Sequence, residues 1–99
     1  MAEKKINGDL AVLVTTAHRG VFFGYCADIH AESLELRQAR LCVYWSADMH
    51  GFMGLASMGP SQTCRIGPPA DIPSLRNITG VFAVTPEAEK KWLKAIWTV

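Results

Sequence analysis

Three histidines, His18, His30 and His50, and three cysteines, Cys26, Cys42 and Cys64, are the side chains that could hold a metal or attack a substrate. A zinc site needs its ligands at spacings that let one turn aim two of them at one ion, and no Cys-x-x-Cys pair or other known ligand pattern is present. Cys26 and Cys42 lie inside apolar, strand-like runs, where a thiol behaves as a small core side chain with a raised pKa. A nucleophilic Cys assisted by His50 and Asp48 would need a helix N-terminus or a basic neighbour to lower that pKa, and the sequence offers neither. The residues predict no metal site, no catalytic site and no cofactor.

Two other groups suit binding better than reaction. His18 and Arg19 stand at a turn before the apolar run Val21 to Ala27, and with Arg65 they are cationic groups with little apolar company, fit for phosphate contacts. Trp45, Met49, Phe52, Met53 and Met58, joined by Tyr44, form a methionine and aromatic cluster. Such side chains make adaptable contact surfaces, or they pack a loop onto its own barrel or onto the next subunit. Lys90, Lys91 and Lys94 read as the solvated face of a helix.

These residues must be positioned by one domain spanning residues 1–99, large enough for a core without metal or disulfide support. With 49% hydrophobic against 19% charged residues, the chain is too apolar for disorder and apolar enough to bury surface between subunits. A net charge of +1 excludes bulk attraction to nucleic acid, so any such contact needs a local patch. The odd cysteine number suits reduced thiols in a cytoplasmic setting, and Leu10 to Val14 is too short an apolar run for a signal segment or a membrane span.

From Val21 to Ala27 both alternating faces are apolar, which predicts a central strand covered on both sides, with Gly20 and Gly24 allowing it to bend. Leu10 to Thr16 reads as the strand before it, and the central strand is expected to run to about Ile29. Leu34 and Leu36 alternate with Glu35 and Arg37, but Leu41, Val43 and Trp45 are apolar at odd positions. Gln38-Ala39-Arg40 must therefore contain a bulge or tight turn if both runs face one core. Residues 46–60 are too apolar for an exposed loop and allow one or two helical turns. Thr63 to Ile66 reads as a short strand, Gly67 to Pro73 as an irregular connector, and Ile78 to Val84 as the last strand. Thr85 as N-cap, Pro86 at the first helical position, and Ala88, Trp92, Ala95 and Ile96 on one face predict a closing helix. The expected fold is mainly β, a five-stranded bent antiparallel small barrel with an apolar insert and a C-terminal helix.

The order strand, Gly20-x-x-x-Gly24-Tyr25, turn, Leu34-Glu35-Leu36 resembles the first motif of Sm-like proteins (Sm, Lsm and Hfq), and Leu75-Arg76-Asn77-Ile78 is similar to their second motif. His-Arg-Gly-Val-Phe-Phe-Gly-Tyr with the run Cys42 to Pro60 also resembles a family of small phage and prophage-borne proteins of unassigned function. The resemblance implies a homo-oligomeric ring of about five to seven subunits in a bacterial or phage-infected cell. The Sm-like strand order favours single-stranded RNA as ligand, met by His18 and Arg19, which a ring would gather into one annulus, with Arg65 as a helper. The alternative is a phage-derived interaction or structural module that binds a host protein and no nucleic acid. The first reading expects salt-dependent binding, and the second needs only an exposed apolar patch.

Overall fold

The computed structural model describes residues 5–6, 9–17, 20–45, 49–62 and 64–95. Seven strands and two helices follow in the order β1 (Lys5–Ile6), β2 (Asp9–Thr16), β3 (Val21–Cys26), β4 (Leu34–Tyr44), α1 (Gly51–Ser57), β5 (Arg65–Ile66), β6 (Ala70–Leu75), β7 (Ile78–Ala83) and α2 (Pro86–Lys94). All pairings are antiparallel. The five long strands lie in the order β6, β4, β3, β2, β7, and the two-residue strands β1 and β5 extend β2 and β4. This is the mainly β, small barrel-like fold with a C-terminal helix that the alternation predicts.

β3 is central, as its two apolar faces require. Val21, Phe23 and Tyr25 enter one core with Leu13, Leu55, Ile66 and Trp92. Cys26 enters a second core with Val12, Val14, Leu34, Leu36 and Ala39, against which Phe22 also packs. The strand stops at Cys26 rather than near Ile29, because Asp28 turns the chain. Its Oδ1 accepts from the His30 backbone N–H at 3.0 Å, and its carbonyl accepts from the Cys26 thiol at 3.3 Å.

The expected phase break in β4 is a bulge. Gln38 has φ 53°, and its N–H donates to Asp71 Oδ1 at 2.9 Å. The pairing with β3 skips from Phe23↔Arg40 to Tyr25↔Arg37, so two β4 residues oppose Gly24. The extra residue puts Leu34, Leu36, Ala39, Leu41 and Val43 on one face and Arg40 and Cys42 on the other.

Where a connector is expected at residues 67–73, Ala70–Leu75 forms β6. Pro73 is accommodated because β6 pairs with β4 on a single side, so its missing N–H is no loss on the other. The short strand expected from Thr63 is Arg65–Ile66, and Thr63 itself lies outside the described residues.

α1 and α2 cover the Phe23–Trp92 face. Thr85 caps α2 by accepting from the Ala88 N–H at 3.1 Å, and Pro86 fills the first helical position. Carbonyls at the end of α1, left over by the helix's own ladder, accept from the N-cap of α2 and from Trp92 in its last turn. Leu55 O accepts from Trp92 Nε1 at 3.1 Å, Ala56 O from the Thr85 N–H at 3.1 Å, and Ser57 O from Thr85 Oγ1 at 2.8 Å. The apolar insert is thus buried through Gly54, Leu55 and Ala56. Ala88 and Trp92 face the core with Ala95 packed beside them, as the helical spacing predicts, while Ile96 lies outside the described residues.

Candidate functional site

The residues predicted for RNA contact are separated by what is described. His18 and Arg19 lie outside the described residues. Arg65 is exposed on β5, in register with Tyr44 on β4, which is 51% exposed. The two residues are opposed at the register shift between β4 and β5.

The methionine and aromatic cluster divides in two. Met49 is buried in the chain's own core and Trp45 is half-buried against it. Phe52, Met53 and Met58 are exposed, with Phe52 against Phe82 at a ring-centroid distance of 5.4 Å. Phe52 lies i, i+3 and i+4 from the buried Leu55 and Ala56, so it shares their side of α1 and rests on Phe82 at the edge of that side, while Met53 points away from the sheet.

Sequence reasoning missed the surface around Leu41 and Val43. β6 pairs with β4 only between Leu34 and Ala39, so the face that carries the second core runs on uncovered through Leu41 and Val43, 40% and 52% exposed. Phe22 lies beside Leu41 in register and is half-buried. The signal was present in Leu41 and Val43 themselves, which carry the apolar alternation of β4 beyond the residues that β6 pairs.

The buried polar groups serve the fold. Arg40, within the bulge region, donates from Nε to Gly67 O at 2.9 Å and from Nη1 to Trp92 O and Ala95 O at 2.8 and 2.7 Å. Burial lowers its pKa from the ordinary guanidinium value, and its charge sits at the negative end of α2. Glu89, in the first turn of α2, is 1% exposed and accepts from Tyr25. Burial pushes the Cys42 thiol up to about 12, helped by Cys64 beside it, and burial raises Cys26 as well. All three cysteines are free and buried. Among the described residues no group of three His, Cys, Asp or Glu side chains could hold a metal ion, and no helix is long and apolar enough to cross a membrane. Asp48, weighed as a partner for His50, lies outside the described residues.

A family described as a domain of unknown function, DUF6948, matches residues 9–92, which runs from the first residue of β2 to the buried Trp92 of α2. No curated protein and no solved structure matches the chain.

Proposed function

We propose that this chain, which belongs to the DUF6948 family, is a binding module, not an enzyme, that associates with copies of itself through the uncovered end of its sheet. One observation carries the reading: the apolar face of β4 continues past the end of its β6 partner, leaving Leu41 and Val43 exposed beside Phe22. An apolar sheet face is stable in water when something covers it, and a second copy of a small barrel supplies a matching edge. The strand order β6, β4, β3, β2, β7 around a central β3 supports the resemblance to Sm-like proteins, and with it a closed ring in a bacterial or phage-infected cytoplasm. Light scattering on the purified protein at micromolar concentration tests this. A multimer that Leu41→Glu/Val43→Glu converts to a folded monomer supports the reading, and a monomeric parent overturns it.

A second reading, contact with single-stranded RNA, is favoured by the register of Tyr44 with Arg65. An exposed ring beside a cation offers a base a stacking surface and its phosphate a charge, and a ring repeats that pair once per subunit. Titration of labelled oligouridine at low and moderate salt tests it. Binding that weakens with salt, and falls in both Tyr44→Ala and Arg65→Ala, supports RNA. No binding by the parent at low salt leaves the contact with a protein.

A further inference from the structure

Lys91 and Lys94, spaced i and i+3, share one exposed side at the end of α2, and Ala95, its C-cap, lies between that side and the buried Trp92. That side forms one wall of a cavity of about 440 Å³, and Pro60, Cys64 and Ile66 contribute the facing wall. The volume lies within the ~300–1,000 Å³ typical of small-molecule sites. The lining is mainly apolar and, among the described residues, holds two cations and no carboxylate. Among the described residues neither lysine forms an ion pair.

A third positive charge stands behind the same wall. Arg40 grips the carbonyl of Gly67, next to Ile66, and that of Ala95, which lines the cavity. Its Nη2 is buried without a hydrogen-bond partner among the described residues. Among the described residues the formal charges of the lining are all positive, and an apolar hollow of that kind is complementary to an apolar body carrying one anionic group. A neutral apolar ligand would leave the lysines unused, and a polar anion would leave Ile66, Cys64 and Pro60 unsatisfied.

We propose that this cavity binds a small amphipathic anion, with its chain or ring against Ile66, Cys64 and Pro60 and a single carboxylate or phosphate head at Lys91 and Lys94. The site is distinct from the Leu41 and Val43 surface and makes no use of it. Calorimetric titration with decanoate, decyl phosphate and decanol, each below its micelle concentration, tests the assignment on the full chain. Saturable binding of at least one anion, more than about tenfold tighter than decanol, is expected, the tighter of the two identifying the head group. Lys91→Gln/Lys94→Gln is expected to lose about tenfold or more in anion affinity. Both positions are exposed, so the fold is retained, and circular dichroism verifies it. Lys90→Gln, which changes an exposed lysine outside the cavity lining, is expected to bind as the parent does. Equal binding of decanol and the anions, unchanged affinity in the double variant, or no saturable binding of either anion overturns the proposal.

Discussion

The phenolic hydroxyl of Tyr25 donates to Glu89 Oε2 at 2.6 Å, tying the middle of the sheet to the last helix through a contact that is 1% exposed on both sides. Phe23, two residues earlier on the same face, stacks on Trp92 with ring centroids 5.2 Å apart. Helix and strand are thus joined by an aromatic stack and, beside it, a charge-assisted hydrogen bond.

Tyr25→Phe removes the hydroxyl and leaves the Glu89 carboxylate buried without its donor. The expected cost is about 1–3 kcal/mol, read as a lower denaturant midpoint with an unchanged slope. A midpoint equal to the parent's would remove this bond from the interactions that hold α2.

The same bond gives stability a pH dependence. Burial first, then the hydrogen bond and charge of Glu89, raises the Tyr25 pKa above its ordinary value of 10.0. Above that value the unfolded chain loses a proton that the folded chain keeps, so the contribution is complete below about pH 10 and declines as pH rises beyond it. Denaturation series from pH 8 to 11 should show a fall in the parent beyond that of Tyr25→Phe. Parallel curves would contradict the linkage.

Arg40→Met is expected to cost about 3 kcal/mol or more, because three backbone carbonyls lose a charged donor at once. Arg40→Lys should rescue little, since one ammonium cannot reproduce a fork that serves Gly67 and two carbonyls at the end of α2. Thermal melts decide it, and full rescue by lysine would show that charge alone mattered.

Two glycines separate backbone demand from packing. Gly59 has φ +85°, and a Cβ there would stand 2.9 Å from Lys91 Cβ and 3.0 Å from Ala88 Cα, so Gly59→Ala should cost about 1–3 kcal/mol through strain and displaced helices. At Gly24 a Cβ would lie 3.4 Å from Ala39 Cα, Arg37 O and Leu36 Cβ, which is ordinary contact. Gly24→Ala should therefore fold almost as the parent does, while the branched side chain of Gly24→Val meets the β4 bulge and should leave little soluble protein. Thermal melts that rank Gly24→Ala below Gly59→Ala would reverse this assignment.

The thiols should be inert until the chain unfolds. With Cys42 pushed up to about 12, its alkylation by iodoacetamide at pH 8 should run about a thousandfold slower than that of a free cysteine. Mass spectrometry of native protein against protein in denaturant measures the ratio. Rapid native labelling of Cys42 would show an open core.

Features legible in the sequence were those with a local cause. Thr85 followed by Pro86 starts a helix anywhere, because the cap and the fixed φ act within one turn. The two apolar faces of Val21 to Cys26 made β3 central, and the break between Leu36 and Leu41 required the bulge at Gln38, because alternation leaves no other way to keep one face. The tertiary structure alone decided what covers each face. Leu41 and Val43 follow the core pattern yet are exposed, since among the described residues the second core stops at Ala39 and nothing packs over that face beyond it. Arg40 and Glu89 look like surface charges in the sequence but are buried, because their partners, the carbonyls at the end of α2 and the hydroxyl of Tyr25, come from more than 50 residues away. Local periodicity sets the direction in which a side chain points, whereas burial depends on which distant segment arrives there, and that is settled only when the whole chain packs.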